Sequence, residues 1–458
     1  MSFRLGLGSG FGLGGGGGVL VALQYLFNGF PSSITGGGQT VADKDGVLRT
    51  VDSGVPAITG GTFISASEGF SAANFTGENV RTANGTVKDY SGDANWLGYL
   101  GEGARTNSLP QSTPDNTTAY WSKSPGMTFV EASPYMPGST PYRVDSDGTN
   151  QFEFRGDFLG TFDGGTDTLS AIIENVDAAV TEITIFDNTA SAHVGHLQLD
   201  WSTGALSIVG SQAGATVNYG GEKLLDVGPN GGEVYRIWVS ADGQNVGNQR
   251  LFAIYPRGRA AAVAESTIPH HMQLEEGVSF PSTPISTEGT TVTRPATVLS
   301  ETSAGRIRAN GQIYDLAITP TAVQDGSYLW GSYVDANNGL FLLSAGGVFV
   351  WRKRVAGTDY DATSTISYTA DKLYRVQRYV SADGSTGIRV QNVTDAGAFE
   401  AFQANADTTD AVLGTTFEIG SDGNGANQFF ANYSRDITDY EDGDCEAALA
   451  TFATEYPL

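Results

Sequence analysis

The sequence predicts an all-β protein that contains two β-sandwiches or jelly rolls in tandem, and three observations lead to this fold class. First, glycine accounts for 61 of the 458 residues, about twice its usual share, which is typical of a chain with many turns. Second, from Tyr142 onward apolar and polar residues alternate in segments that end at Gly, Asp or Asn. These segments recur about every 10 to 15 residues, as they do in sandwiches and jelly rolls.

The third observation is an internal repeat. LYRVQRYVSADG at 373–384 resembles VYRIWVSADG at 234–243, and NNGLFLLSAGGVFVW at 337–351 resembles VGHLQLDWSTGALSIVG at 194–210. The matched segments occur in the same order in both halves, which indicates duplication of one unit. We therefore predict a first sandwich over 109–295 and a second over 300–458.

The N-terminal segment is predicted to be an extended docking arm, residues 1–30. Its apolar run from Val19 to Phe27 is too short to cross a bilayer, and no clean cleavage site for a signal peptide follows it. Leucine and phenylalanine alternate with glycine before that run, so the backbone is expected to add as a strand to another protein. The predicted anchors of this arm are Phe3, Leu5, Leu7, Phe11 and Leu13.

Two further segments complete the predicted organisation. Residues 31–108 contain short strand and turn patterns, such as VADKDGVLRT with its Asp-Gly turn, and are predicted to form a small β or collar region. The tail EDGDCEAALATFATEYPL has a helical pattern with acidic residues at its start, so we predict a C-terminal helix.

Charge and cysteine content exclude several classes of function. The net charge of −25 disfavours binding to nucleic acid and to anionic membranes. Cys445 is the single cysteine, so it cannot form an internal disulfide. Its neighbours are acidic, which would raise the pKa of the thiol, so it is not expected to be a nucleophile.

Two groups of residues resemble a module that is frequent in virion proteins of tailed bacteriophages, such as tail fibres and head spikes. The first is Glu-x-x-Arg-Thr-Asn at 102–107. The second is Gln-Leu-Glu-x-Gly at 273–277, followed by a proline-rich segment that leads to Thr-x-Thr-Arg at 291–294. The resemblance spans roughly 96–300. Such modules are similar to concanavalin A-like lectin and laminin-G-like sandwiches, and the second half resembles a laminin-G-like domain.

The resemblance implies a virion structural protein on the surface of a phage particle, without enzymatic activity. The N-terminal arm would bind other proteins of the capsid or tail, and the sandwiches would bind host-surface polysaccharide. The chain would form homo-oligomers, most often trimers, so that several weak sites act together. Nucleic acid and membrane insertion are not expected.

The adjacent residues Glu275 and Glu276 raise the question of catalysis. Neighbours on a strand point to opposite faces, whereas a glycosidase needs two carboxyl groups facing each other about 5 to 10 Å apart. We therefore predict that the motif forms a structural seam that ties the last strand to the incoming chain. The predicted seam residues are Glu102, Arg105, Gln273, Glu275 and Arg294.

Among metal ions, the sequence favours calcium over zinc. His193 and His196 are three apart on a strand and are expected to face opposite sides, which is unfavourable for zinc. Loop oxygens of DSDGTN and SDGNGAN have the ligand chemistry that Ca²⁺ prefers, although the same residues are common in turns. The candidate calcium ligands are Asp145, Asp147, Asn150, Asp422 and Asn424.

Glycan binding would require an aromatic platform with a few polar groups. The basic run at 352–354 stands out in an acidic chain and suggests contact with an acidic polysaccharide or a neighbouring subunit, or alternatively a solvated strand edge on which Lys and Arg discourage pairing. The candidate glycan-binding residues are Trp330, Tyr333, Trp351, Arg352 and Tyr360.

Two alternatives from other classes stay open at this stage. A decoration protein that stabilises the capsid or tail would have the same sandwiches and bind no sugar. A capsule depolymerase would require facing acidic residues in a cleft, and the sequence contains no Glu-x-Asp-x-Glu run.

Overall fold

The structure is a computed structural model, and its description covers most of the chain from residue 98 onward and short segments before it. The described residues are 33–35, 40–42, 48–50, 58–59, 75–76, 79–81, 87–89, 98–114, 120–136, 139–147, 154–156, 160–242, 244–256, 264–296, 298–303, 307–322, 325–370, 372–420, 428–437 and 449–450. They form strands in several sheets, so the all-β class is confirmed. Leu449 and Ala450 are helical, and the rest of the predicted C-terminal helix lies outside the described residues.

The described residues up to position 102 form eight short strands. They are β1 (Ser33–Thr35), β2 (Thr40–Ala42), β3 (Leu48–Thr50), β4 (Ile58–Thr59), β5 (Phe75–Thr76), β6 (Asn79–Arg81), β7 (Val87–Asp89) and β8 (Gly98–Glu102). Strands β5, β6 and β7 form an antiparallel sheet of their own.

The next fourteen strands run from Arg105 to Arg294. They are β9 (Arg105–Asn107), β10 (Trp121–Lys123), β11 (Thr128–Glu131), β12 (Tyr142–Asp145), β13 (Phe154–Gly156), β14 (Asp167–Asn175), β15 (Val180–Asp187), β16 (Ala192–Asp200), β17 (Ala205–Ser211), β18 (Val217–Leu225), β19 (Val234–Ala241), β20 (Arg250–Tyr255), β21 (Ser266–Glu276) and β22 (Val292–Arg294). They form two six-stranded sheets, in the orders β10-β13-β20-β15-β16-β17 and β11-β12-β21-β14-β19-β18, and the pair β9-β22.

The remaining eleven strands follow Pro295. They are β23 (Val298–Thr302), β24 (Gln312–Ala322), β25 (Tyr328–Asp335), β26 (Asn338–Ala345), β27 (Val348–Val355), β28 (Thr358–Ser367), β29 (Tyr374–Val380), β30 (Thr386–Asn392), β31 (Gln403–Asn405), β32 (Thr416–Gly420) and β33 (Gln428–Ile437). With three of the early strands they form two seven-stranded sheets, β1-β23-β32-β25-β26-β27-β28 and β31-β30-β29-β24-β33-β8-β4.

Backbone contacts divide the chain into two units. The central unit comprises Gly46–Thr50 and Arg105–Arg294, and the C-terminal unit comprises Met1–Asp45, Val51–Ala104 and Pro295–Leu458. Within the segment 31–108, predicted to be a small β or collar region, the backbone of strand β8 pairs with β33 of the C-terminal unit through Tyr99↔Ala431 and Glu102↔Gln428.

The core of the central unit draws side chains from both of its six-stranded sheets. They alternate along each strand, so that one face of each sheet is apolar. One sheet contributes Leu169, Ala171, Ile173, Ile237, Val239, Met272 and Leu274, and the other contributes Ile183, Ile185, Leu197, Leu199, Phe252 and Ile254, all in one cluster. All are at most 1% exposed, so burial of these side chains supplies most of the stabilisation of the unit.

The C-terminal unit has a core of the same kind with larger aromatic residues. Its two seven-stranded sheets contribute Tyr314, Leu316, Ile318, Tyr374, Val376, Val380, Ile388 and Val390 from one sheet, and Leu329, Trp330, Leu340, Leu342, Phe349, Trp351, Phe417 and Ile419 from the other.

The two units share a strand order. In the central unit β21-β14-β19 are neighbours in one sheet and β20-β15-β16-β17 in the other; β33-β24-β29 and β32-β25-β26-β27 repeat both runs in the C-terminal unit. The similar sequence segments fall on strands that hold the same place. YRIWVSADG begins in β19 and YRVQRYVSADG in β29, while the similar hairpins are β16–β17 and β26–β27.

Candidate functional site

The predicted seam residue Gln273 lies at the centre of a buried hydrogen-bond network in the central unit. Its amide group donates to Glu275 Oε2 (2.7 Å) and to Ser282 Oγ (3.2 Å), and its oxygen accepts from the backbone N–H of Ile285 (2.6 Å). The backbone N–H of Ser282 also donates to Glu275 Oε2 (2.8 Å). The proline-rich segment after β21 is therefore held against the face of β21 that does not point into the core.

Asn107 attaches the incoming chain to the same strand. Its side-chain oxygen accepts from the backbone N–H groups of Leu109 and Leu274, both at 3.1 Å. Its amide donates to the backbone oxygen of Ile285 (2.8 Å). One fully buried asparagine thus satisfies backbone groups of three segments. The sequence motif contained this residue, but the predicted seam set omitted it.

Three arginines complete the seam. Arg105 lies 3.7 Å from Glu275 Oε1 and stacks 4.8 Å from the ring centroid of Phe280. Arg236 donates to the backbone oxygen of Ser282, and Arg294 donates to the hydroxyl of Thr283. Of the five predicted seam residues, Arg105, Gln273, Glu275 and Arg294 meet in the central unit. Glu102 is buried in the C-terminal unit.

The environments of Glu275 and Glu276 differ as expected for strand neighbours. Glu275 is 1% exposed and bonded into the seam. Glu276 keeps 39% of its side chain exposed and pairs with Arg250. Arg250 also donates to Asp167 (2.9 Å), where burial raises the pKa of the carboxyl to about 6 despite this pairing. The two glutamates therefore do not face each other.

Two buried histidines lie on β21 beside the seam. His270 accepts the backbone N–H of Tyr135 at Nδ1 (3.3 Å), so its proton resides on Nε2 and is donated to Glu174 (3.0 Å). Burial lowers the pKa of His270, although Glu174 opposes this shift. Burial also lowers the pKa of His271 to about 3, partly offset by its hydrogen bond to Gln273. Both rings are thus neutral parts of the framework at neutral pH.

The prediction that His193 and His196 face opposite sides is wrong. Residue 185 pairs with 195 whereas 186 pairs with 193, so Val194 forms a β-bulge that turns both rings to one face. The rings stack at a centroid distance of 4.2 Å. His196 lies 2.7 Å from Glu182. Among the described residues, however, no group of three or more His, Cys, Asp or Glu has the geometry to hold a metal.

The calcium candidates are not brought together by the described part of the chain. Both oxygens of Asp145 accept hydrogen bonds from Arg143, at 2.8 and 3.0 Å, so a guanidinium already occupies the position of a cation. Asp147 is exposed. Asn150, Asp422 and Asn424 lie outside the described residues, as do the predicted docking anchors Phe3, Leu5, Leu7, Phe11 and Leu13.

Two of the predicted glycan-binding residues belong to the core. Trp330 is 1% exposed and Trp351 is fully buried, and Trp351 donates to the backbone oxygen of Tyr379 (2.9 Å). Both rings pack around the guanidinium of Arg378. The guanidinium carbon lies 4.8 Å from the ring centroid of Trp330, 5.0 Å from that of Trp351 and 5.2 Å from that of Tyr314. Neither tryptophan presents a ring to a ligand, because both lie on the inward face of their strands.

The basic run 352–354 does not carry unbalanced charge. Arg352 forms a bidentate pair with Asp361, at 2.8 and 2.7 Å, and Arg354 forms one with Asp359, at 2.5 and 2.9 Å. Lys353 points inward and donates to three backbone oxygens at 2.6 to 3.0 Å. Each cation of this run thus has an internal partner in the same unit.

The acidic partners of this run were missed in the sequence although a signal was present. RKR and DYD flank the short turn VAGT, so an antiparallel hairpin aligns Arg352 with Asp361 and Arg354 with Asp359. Tyr360, half-buried, lies opposite Lys353, whose ammonium is 5.3 Å from its ring centroid. Tyr333 is 56% exposed and is the most accessible of the predicted glycan-binding residues.

No helix in the described part of the chain is long and apolar enough to span a bilayer.

Comparison with known proteins gives little further information. No family model matches the chain, and no curated protein matches it. Among solved structures, a mutant of the GH43 protein BlXynB from Bacillus licheniformis matches with 10% sequence identity and a TM-score of 0.22. The match covers 85% of this chain and 76% of that chain.

The prediction that the chain is not an enzyme is contradicted by this match to a glycoside hydrolase and is withdrawn, without an enzymatic activity being assigned in its place. A TM-score of 0.22 does not describe a shared fold. The match therefore assigns no active site, substrate or reaction to this chain.

Proposed function

We propose that the chain is a structural protein on the surface of a tailed-bacteriophage particle, a tail fibre or head spike, that contacts host-surface glycan. The observation that carries this proposal is the seam. The motif residues that resemble the virion module, Arg105, Asn107, Gln273, Glu275 and Arg294, meet in one buried network although about 170 residues separate the two segments. The motif thus acts as the closure of a self-contained module.

The proposed architecture is a pair of β-sandwiches. Its support is that two sheets share one hydrophobic core in each unit, with interleaved contributions such as Leu169 and Ile183 in the central unit and Leu316 and Trp330 in the C-terminal unit. Two sheets that bury their apolar faces against each other form a sandwich. Attachment through the N-terminal arm and assembly as a homotrimer are part of the same proposal and rest on the resemblance.

A second candidate is a decoration protein that binds no sugar. It is favoured by the burial of Trp330 and Trp351, which removes two of the five predicted glycan contacts.

Detection of the chain in purified phage particles is the direct test. Particles of the phage that encodes the chain are banded on a density gradient, and their proteins are identified by mass spectrometry. We expect the full-length chain in the particle band, and its binding to host cells when purified separately. Absence from particles that are otherwise complete would refute the virion assignment, whereas incorporation without cell binding would favour the decoration role.

A further inference from the structure

The outward face of the sheet β25-β26-β27-β28 carries an exposed tyrosine beside two ion pairs. Tyr333 pairs in register with Gly339, Gly339 with Arg354, and Arg354 with Asp359. Residues in one register row point to the same face. The next row on this face runs through Phe341, Arg352 and Asp361. We call Tyr333, Arg352, Arg354, Asp359 and Asp361 the outer platform.

The polar part of the outer platform is fixed before any ligand arrives. Arg352 bridges the two carboxylates, since it also lies 3.0 Å from Asp359. Arg354 additionally donates to the backbone oxygen of Ala336 (3.3 Å). The side chains of the four charged residues keep 20% to 32% of their surface exposed. Planar guanidinium and carboxylate edges therefore face solvent in a preorganised array.

The aromatic part lies across β26 from the ion pairs, in a row where β26 contributes a glycine and therefore no side chain. Gly339 separates Tyr333 from Arg354, and a Cβ atom at this position would lie 2.1 Å from the ring of Phe341. The Phe341 ring is buried, and its centroid lies 6.1 Å from that of Tyr333. Tyr333 thus rests on a packed aromatic base and presents its exposed surface to solvent.

The charge of the outer platform determines which ligand it fits. The charges of its two arginines and two aspartates sum to zero. The exposed Asp335 lies at the end of β25, the strand that carries Tyr333. The whole chain carries −25. An acidic polysaccharide would find no unbalanced cation in this array and would be repelled by the protein as a whole. A neutral sugar can stack on a tyrosine and exchange hydroxyl hydrogen bonds with both kinds of charged edge.

We infer that the outer platform is a binding site for neutral hexose units of a host-surface glycan, with Tyr333 as the stacking ring and the ion pairs as hydroxyl partners. This inference rests on the proposed function and names its ligand class and site.

Binding of the purified full-length chain to arrayed neutral and acidic oligosaccharides tests the inference. We expect retention on neutral hexose glycans and a loss of about tenfold or more in affinity for Tyr333→Ala. Tyr333→Phe keeps the ring and should stay within about threefold of the unchanged chain. Tyr219→Ala is the matched control, because Tyr219 is a 45% exposed tyrosine on a strand of the central unit.

A second variant reports on the polar half of the site. Asp361→Asn leaves one charge of Arg352 unbalanced, so binding to neutral glycans should weaken and weak binding to acidic glycans should appear. Binding to acidic glycans by the unchanged chain, or binding to neutral glycans that Tyr333→Ala leaves intact, would overturn the site. Failure to bind the arrayed glycans by a chain that is present in particles and binds host cells overturns this inference alone, whereas absence from particles overturns the proposed function.

Discussion

The carboxylate of Glu275 accepts the backbone N–H of Ser282 at 2.8 Å, which closes a loop between the last long strand of the central unit and its proline-rich exit. The same oxygen accepts from Gln273 at 2.7 Å. A carboxylate that accepts from two such donors beside a buried arginine stabilises the fold, so its removal should lower the free energy of unfolding.

Glu275→Gln should lower the free energy of unfolding of the central unit by about 2 to 4 kcal/mol, because Arg105 loses the charge that faces it and the Ser282 N–H loses a strong acceptor. The measurement is chemical denaturation of both proteins at pH 7. Glu288→Gln, at an exposed position of the same segment, serves as the control and should change stability by less than about 0.5 kcal/mol. Equal effects of the two substitutions would contradict the role of the seam.

His271 should make the central unit sensitive to acid. Its pKa is lowered by burial to about 3 in the folded state, whereas the unfolded chain protonates it near 6.5. Unfolding therefore takes up a proton between these values, so stability falls as the pH drops below about 6.5, by up to about 1.4 kcal/mol per pH unit. Asp167, whose pKa burial raises to about 6, acts in the opposite direction below that pH.

His271→Gln should flatten this dependence, since glutamine keeps a polar group near Gln273 and does not titrate. Urea midpoints at pH 7 and pH 5 give the comparison. A variant that loses as much stability between these two pH values as the unchanged chain would show that His271 is not responsible.

Trp330→Ala and Tyr333→Ala should separate the core from the surface of β25. Trp330 is 1% exposed, so its truncation should cost about 3 to 5 kcal/mol. Tyr333 is 56% exposed, and its truncation should change stability by no more than about 0.5 kcal/mol. Thermal unfolding followed by circular dichroism measures both. A large loss for Tyr333→Ala would place that ring in the framework.

Arg378→Lys should destabilise the C-terminal unit although the charge is kept. The guanidinium lies within 5.2 Å of three aromatic ring centroids, and a lysine ammonium cannot stack as a plane among them. We expect a loss of about 1 to 3 kcal/mol, measured by denaturation with tryptophan fluorescence as the probe. Val239 is the position in the central unit that corresponds to Arg378, because each lies four residues after the tyrosine of the repeated segment, Tyr235 or Tyr374. Val239→Ala should cost about 1 to 3 kcal/mol through loss of apolar packing.

Strands and their repeated order follow from the sequence because alternation and glycine turns are local signals. The faces of individual side chains were harder to predict. A single bulge at Val194 brings His193 and His196 together, and the local sequence did not predict that bulge. Trp330 and Tyr333 look equivalent as aromatic residues on one strand, yet three positions separate them, so one is buried and the other exposed. The pairing of Arg352 with Asp361 can be predicted from the sequence, but only when the register of the hairpin is considered.

The long segment of the central unit, Arg105–Arg294, begins and ends on two strands that pair with each other. Val292, Thr293 and Arg294 of β22 align with Asn107, Thr106 and Arg105 of β9. This segment therefore starts and finishes at one place, while β8 and β23, on either side of it in the sequence, belong to the other unit. We expect such a segment of about 190 residues to be exchangeable between genes by recombination at two short boundaries, since a domain whose ends lie close together tolerates insertion into another fold.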